Sequence, residues 1–344
     1  MEDSVFHVQK ILFERIEALK PANANLAIEI SELLEVSLDG AYRRIRGLVH
    51  LKMQELIVIA TKYQLSIDEL FLDQNPAAVA FLPSSLQHRN TDMEPYSTSL
   101  SELMKTLRKE KAHDIIIVSK DLPTFQLFQF PKLLQFKMFF WRKTMFEDPE
   151  FNGVPFSLNN DLEDVAKIST AFQGIARQYA QMDSTEIWNA ELANGLIKQI
   201  RYYLESGLFK DPKEAILLID EAEKMVEFLQ KMAKEGRKLL VSDPKFVGGS
   251  YKLFHNDIIV NDNVMSARIG NSIRTFHVYN SIEYLQTGHK VYGEQVRSWL
   301  ENLPKRSEPI SEVAELLRLR FFNRIRHQLM ILKNDLEKYL SSVS

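Results

Sequence analysis

The chain has 344 residues, of which 45% are hydrophobic and 26% charged, and its formal net charge is −3. These values are typical of globular chains, and the length suits two or three domains. The absence of cysteine excludes disulfides, thiolate zinc sites and cysteine nucleophiles, and it fits a cytoplasmic protein. The start, MEDSVFHVQK, lacks the pattern of a signal peptide. The sequence contains no run of about 18 uncharged apolar residues, so neither a membrane-spanning helix nor a membrane partner is predicted.

The first 75 residues are predicted to form five short helices. Apolar residues recur at helical spacing in four segments, and Pro21 ends the first of them. Asn25 and Ser37 are predicted N-caps of the second and third helices. A capping box at residues 66–69 predicts a fifth helix, which ends near Phe71.

The rest of the chain is predicted to be a linker followed by a larger domain. Three prolines among small and polar residues predict a linker over residues 76–99. Residues 100–344 carry long helical patterns, including one over 187–203 and a final helix over 313–340. A short buried strand is predicted at Asp114–Val118, and Gly and Asn pairs predict a small antiparallel meander over 246–280. Helices are expected to resume near Ser281.

These patterns predict a mainly α protein of two domains. The first, over residues 1–75, is a five-helix domain that contains a helix-turn-helix. The second, over residues 100–344, is a larger helical domain with a small antiparallel β-meander, so that the whole belongs to the α+β class.

The segment SLDGAYRRIRG, residues 37–47, has the spacing of a DNA-reading helix. Residues 35–37 give a turn of the length that a helix-turn-helix requires. Leu38, Ala41 and Ile45 are predicted to face inward. The opposite face then carries Asp39, Tyr42, Arg43 and Arg46.

The predicted DNA-binding residues are Ser37, Asp39, Tyr42, Arg43, Arg44, Arg46 and Lys52. Arg43 could fork onto guanine, whereas Arg44, Arg46 and Lys52 are better placed for phosphates. Ser37 could offer its hydroxyl and the helix N-terminus to a phosphate.

Residues 25–71 resemble the lambda-repressor/Cro-like, or XRE-type, family of helix-turn-helix regulators. The residues that carry the resemblance are LAIEISELLEVSLDGAYRRIRG and then LKMQELIVIATKYQLSIDELF. The resemblance implies a five-helix DNA-binding domain whose second and third helices form the reading unit. Two residues depart from the family pattern: Glu35 stands where the turn normally has Gly, and Ala27 where the first helix of the unit normally has Gln.

Charge supplies the argument against DNA binding. Residues 1–75 contain 8 Lys and Arg but 12 Asp and Glu, whereas DNA-binding domains are usually basic. Binding would therefore depend on the local arginine cluster. The alternative is that the arginines form a solvated face and pair with nearby glutamates such as Glu29, Glu32 or Glu35.

No catalytic, cofactor or metal motif is found in the sequence. The eight histidines form no HxxxH or HExxH pair, and GxSxG, P-loop and GxGxxG patterns are missing. Gly248-Gly249-Ser250 is more simply a turn before a strand than a phosphate cradle. The aromatic run between Phe125 and Phe146 is predicted to be core rather than the wall of a ligand pocket, and the basic stripe of the last helix a solvated face.

The sequence therefore predicts a non-enzymatic transcriptional regulator that binds double-stranded DNA as a homodimer. The second domain would sense a small-molecule effector, mediate dimerisation through the long final helix, or do both. Two alternatives stay open: a protein-interaction scaffold whose helical N-terminal domain does not bind DNA, and an enzyme-like C-terminal domain.

Overall fold

The computed structural model describes most of the chain as two compact units, Met1–Ala80 and Phe81–Ser344. The described residues are 2–19, 25–63, 65, 67, 78–84, 93–109, 114–159, 163–258, 263–270, 272–279 and 282–343.

Helices make up the described part of the N-terminal unit. They are α1 Glu2–Leu19, α2 Leu26–Leu33, α3 Leu38–Ile45 and α4 Met53–Tyr63. Their inner faces meet in one apolar core, whose fully buried members are Leu12, Ile16, Ile30, Ala41 and Ile59. Burial of each large aliphatic side chain contributes about 1.5–3 kcal/mol, and this contribution holds such short helices together.

The two predicted N-caps are confirmed. The Asn25 side chain accepts a hydrogen bond from the backbone N–H of Ala27 at 3.0 Å, and the Ser37 hydroxyl accepts one from Gly40 at 3.1 Å. Each cap stabilises its helix by about 1 kcal/mol. The predicted fifth helix, from Ser66 to Phe71, lies outside the described residues except for Ile67.

Helices and strands alternate along the second unit. The helices are α5 Met93–Lys109, α6 Thr124–Leu127, α7 Pro131–Phe140, α8 Glu163–Ala180, α9 Asn194–Glu205, α10 Glu214–Glu235, α11 Lys290–Asn302 and α12 Glu315–Val343. The strands are β1 Leu82–Pro83, β2 Asp114–Ser119, β3 Ser184–Trp188, β4 Tyr251–His255, β5 Val264–Ile269, β6 Ser272–Tyr279, β7 Glu283–Thr287 and β8 Glu308–Pro309. A π-helical turn, Trp141–Met145, continues α7.

The strands form one mixed sheet in the order β1-β7-β6-β5-β2-β3-β4-β8. Strands β2, β3 and β4 are parallel neighbours, whereas the flanking pairs are antiparallel. Both faces of the sheet are covered. Ile115 and Trp188 pack into the main core on one face, and Ile116 and Ile187 pack with Leu300 and the end of α11 on the other.

The predicted fold class is wrong, because the sheet is the centre of the second unit rather than a small antiparallel meander. Among the described residues, eight strands from Leu82 to Pro309 take part, and three of them are parallel. The region 187–203, predicted as one helix, contains the end of strand β3 and then most of α9. Near Ser281, where helices were expected to resume, the chain forms strand β7 and the next helix begins at Lys290.

The reason for the error is burial on both faces. A strand covered on both sides shows no alternation of polar and apolar residues, so its pattern resembles that of a buried helix. The segment predicted as a linker also differs. Leu82–Pro83 pairs with β7, and α5 begins at Met93.

No helix in the described part of the chain combines the length and the apolar character needed to cross a membrane.

Candidate nucleic-acid interface and ligand cavity

A tight turn joins α2 to α3. The backbone N–H of Val36 donates to the carbonyl of Ser31 at 3.0 Å, and Val36 packs against the core of the unit. Glu35 has φ 53°, in the left-handed region that favours glycine. Glutamate at this position therefore stores backbone strain, as its departure from the family pattern indicated.

Replacing Glu35 by glycine is expected to raise the stability of the N-terminal unit by about 1 kcal/mol, because glycine adopts positive φ without a Cβ clash. Hydrogen–deuterium exchange of residues 26–45 measures the change. Glu32→Gly, three residues earlier inside α2, is the matched control and should lower protection, by about 1 kcal/mol. Equal losses of protection in both variants would contradict strain at Glu35.

The outer face of α3 presents polar and aromatic side chains to solvent. Asp39, Tyr42, Arg43 and Arg46 are all exposed. The Arg46 guanidinium lies 5.9 Å from the centre of the Tyr42 ring, within cation–π range. These four side chains form a contiguous surface of the kind that could enter a groove, and we call it the α3 face.

Arg44 is engaged within the protein. Its Nη2 and Nε donate to Glu55 at 2.8 and 3.2 Å, and its Nη1 donates to the carbonyl of Gly40 at 3.1 Å. The hydrogen bond from Arg44 is the main cause that lowers the pKa of Glu55 below its ordinary value. We therefore assign Arg44 to holding α3 against α4 rather than to phosphate contact.

Lys52 and Ser37, the other two predicted contact residues, are both exposed. The Ser37 hydroxyl already caps Gly40. Leu38, predicted to face inward, is 45% exposed and lies outside the core. It is the first residue of α3, where the side chain extends beyond the packed turns.

Gln9 on α1 is a structural residue that the sequence analysis missed. Its buried amide donates to the carbonyls of Arg44 and Val49 at 2.7 and 2.9 Å and accepts from the N–H of Leu51. One side chain thus satisfies three backbone groups at and just beyond the C-terminal end of α3. The sequence signal for this structural role is the position of Gln9 next to Val8, on the apolar face of α1.

A cavity of about 140 Å³ opens within the second unit. It borders the carboxyl end of β2 and the segment 121–127 that follows, and α7 and α9 supply further walls. Most of the lining is apolar, and it includes Leu100, Leu122, Phe125, Leu196, Val264 and Phe276. The carboxyl edge of parallel strands is where α/β proteins commonly bind ligands.

Polar groups gather at one part of the cavity wall. The Lys137 ammonium donates to Gln199 Oε1 at 2.8 Å, and Asn263 Nδ2 donates to Asp121 Oδ2 at 2.9 Å. Burial lowers the pKa of Lys137 to about 8, although the nearby Asp121 charge opposes that shift. Trp141 also belongs to the lining, and its indole N–H lies beneath the accessible surface. It is buried without a hydrogen-bond partner among the described residues.

Glu186 also lines the cavity, and it is 1% exposed. It accepts hydrogen bonds from Tyr179 at 2.5 Å, Trp188 at 3.0 Å, Ser184 at 3.1 Å and Gln126 at 3.2 Å. Proximity to this carboxylate and burial raise the pKa of Tyr179, with burial the larger cause. The group is therefore a satisfied structural carboxylate.

A second buried cation lies behind Tyr179. Lys238 Nζ sits 3.4 Å from the centre of the Tyr179 ring and donates to the Tyr179 carbonyl at 3.3 Å. Burial lowers the pKa of Lys238 to about 7, and the charges of Glu186 and Asp183 oppose the shift. The tyrosine thus lies between a buried ammonium and a buried carboxylate.

The remaining candidates of the sequence analysis are structural. A Cβ on Gly248 would lie 2.0 Å from the Ala180 carbonyl oxygen, so the glycine pair allows close packing rather than phosphate binding. The aromatic run is mainly core, although Phe125 and Trp141 also line the cavity. Within the basic stripe of α12, Arg318 is buried and Arg324 pairs with Asp257.

Neither a metal site nor a match to a known protein adds a functional residue to those described above. Within the described ranges, no three His, Asp or Glu side chains gather into a group that could hold a metal ion. No model of a known protein family matches the sequence, and no curated protein or solved structure matches it significantly.

Proposed function

We propose that the chain is a sequence-specific DNA-binding transcriptional regulator whose α3 face reads the major groove. The observation that carries the proposal is the joint exposure of Tyr42, Arg43 and Arg46 on a capped helix that follows a tight turn. A guanidinium free of intramolecular carboxylates can fork onto guanine, and a neighbouring one can reach a phosphate. Lys52 and the Ser37 end of α3 supply further phosphate contacts.

A homodimer is part of this proposal. One reading helix buries too little DNA surface for tight specific binding, so two copies would read half-sites about one helical turn apart. The second unit would provide dimerisation, effector sensing or both. Its cavity supports the sensing role, because a largely apolar pocket with a few convergent polar groups is the usual form of a small-molecule site.

The same cavity bears on the enzyme alternative, since ionisable side chains converge there. Glu186 already accepts hydrogen bonds from four donors, and the Asp121 carboxylate is held by Asn263. These contacts favour binding over proton transfer as the use of the cavity.

The protein-interaction alternative is favoured by one observation. Several apolar side chains of the N-terminal unit are exposed, namely Ile28, Leu38, Leu48, Met53, Ile57 and Val58. Exposed apolar residues of this kind can form a docking surface for a protein.

Selection from a random pool of double-stranded oligonucleotides, followed by a salt series, tests the proposed function. We expect enrichment of a two-fold symmetric sequence, and an affinity that falls steeply between 50 and 200 mM salt as contacted phosphates release counterions, with a log–log slope of about −0.9 per phosphate. A pool that stays random, or binding that salt does not weaken, would favour the protein-interaction alternative.

A further inference from the structure

The cavity of the second unit has the size of a small organic molecule. Its volume of about 140 Å³ is close to that of engineered apolar cavities of about 150 Å³, which bind benzene. The body of an occupant therefore corresponds to one aromatic ring or a short alkyl chain.

Two residues of the cavity wall, Lys137 and Trp141, carry hydrogen-bond donors that the described residues do not fully use. Lys137 and Trp141 lie four residues apart, and the Lys137 ammonium sits 5.6 Å from the centre of the Trp141 ring. Among the described residues, Gln199 is the hydrogen-bond acceptor of the ammonium, which has three N–H groups to offer. The Trp141 indole is 2% exposed, and its N–H has no acceptor within the described residues.

The carboxylates that line the cavity already accept hydrogen bonds from the protein. Glu186 receives four donors, and Asp121 is held by Asn263 at the exposed mouth. The Asn263 carbonyl oxygen in turn accepts from Ser119 and from the N–H of Lys120. A ligand must therefore bring acceptors rather than donors to the Lys137 end.

The backbone around these two donors is itself unusual. Trp141 begins the π-helical turn Trp141–Met145, and such turns are frequent at functional sites. The turn begins about one helical turn after Lys137, where α7 ends.

We propose that this cavity binds a small monocarboxylate with an aromatic or short aliphatic body, whose carboxylate accepts hydrogen bonds from Lys137 Nζ and Trp141 Nε1. The charge of the ligand compensates the half-buried Lys137 ammonium, and its apolar body contacts residues such as Phe125, Leu196 and Phe276. This assignment deepens the sensing role proposed above and rests on it, but binding itself requires no DNA.

Calorimetric titration of the full chain with benzoate and with hexanoate, in the absence of DNA, tests the assignment. We expect saturable binding of at least one of these acids, and at least tenfold weaker binding of benzamide and benzylamine, which lack the carboxylate. Equal binding of benzoate and benzylamine, or no binding of either acid at millimolar concentration, would overturn the proposal.

Two variants separate the donors from general stability. Lys137→Met is expected to weaken binding of the acid by more than tenfold, and Trp141→Phe, which keeps an aromatic ring but removes the N–H, by several fold. Lys198→Met, on an exposed position next to Gln199, is the matched control and should leave affinity unchanged. Unchanged affinity in both Lys137→Met and Trp141→Phe would refute the assignment.

Acid binding in the cavity and oligonucleotide enrichment are measured separately, so the failure of one does not imply the failure of the other. A thermal unfolding curve of each variant shows whether the second unit is folded. If the acid binds but no oligonucleotide is enriched, the cavity assignment stands and DNA binding fails. If an oligonucleotide is enriched but no acid binds, the reverse holds.

Discussion

Replacing Arg43 and Arg46 together by alanine is expected to weaken binding to the selected oligonucleotide by roughly two orders of magnitude. A good bidentate contact between arginine and guanine contributes about 1–3 kcal/mol of discrimination, and a lost phosphate contact adds to that. Both side chains are exposed on the α3 face, so their removal leaves the core of the unit intact. Fluorescence anisotropy at fixed salt measures the affinities.

The matched control for this prediction removes two charges elsewhere in the same unit. Lys10 on α1 and Lys62 on α4 are exposed, so Lys10→Ala/Lys62→Ala changes the net charge equally. Its affinity should fall only modestly, through the weaker general field of the unit. Arg43→Ala alone should also relax the sequence preference at one position, whereas Arg46→Ala should mainly reduce the salt slope. Equal losses in the two double variants would refute reading by the α3 face.

Replacing Glu186 by glutamine is expected to lower the free energy of unfolding of the second unit by about 3 kcal/mol, because each hydrogen bond to a buried charged group contributes about 1.5–3 kcal/mol and the change disturbs several of them. Glutamine keeps the volume but replaces one acceptor oxygen by a donor, which would face the hydroxyls of Tyr179 and Ser184 or the indole of Trp188. It also removes the negative charge that compensates Lys238.

Urea denaturation followed by tryptophan fluorescence measures this loss selectively, because all three tryptophans of the chain, at positions 141, 188 and 299, belong to the second unit. Glu191→Gln, the same chemical change at an exposed position after β3, should stay within about 0.5 kcal/mol of the wild type. Adding Lys238→Met to Glu186→Gln should recover part of the stability, because the uncompensated ammonium is then gone. A loss below about 1 kcal/mol in Glu186→Gln would contradict a structural role for the carboxylate.

Local signals in the sequence predicted the local features of the N-terminal unit. The caps at Asn25 and Ser37 depend on residues within a few positions, and the structure bears them out. Arg43 and Arg44 could not be told apart in the same way. They are neighbours in sequence, and the position of Glu55, eleven residues beyond Arg44, decides that one is bound and the other exposed.

The central sheet could not be predicted because its strands are paired across long separations. Ser184 lies beside Ile115 and beside Tyr251, and no pattern within either strand specifies those partners. Ile187 and Trp188 also fit the helical spacing of the residues that follow them. The cavity was missed for the same reason, since Lys137, Gln199 and Asn263 come together only once the sheet and its helices are assembled.

The two outer strands of the sheet have a consequence for self-association. Strands β1 and β8 are two residues long, and each ends in a proline, at Pro83 and Pro309. Proline has no N–H to donate, and very short borders offer few free groups for pairing with a second chain. Continuation of the sheet from one copy into another is therefore disfavoured at both borders. A dimer of this protein is therefore expected to form through surfaces other than these two sheet borders.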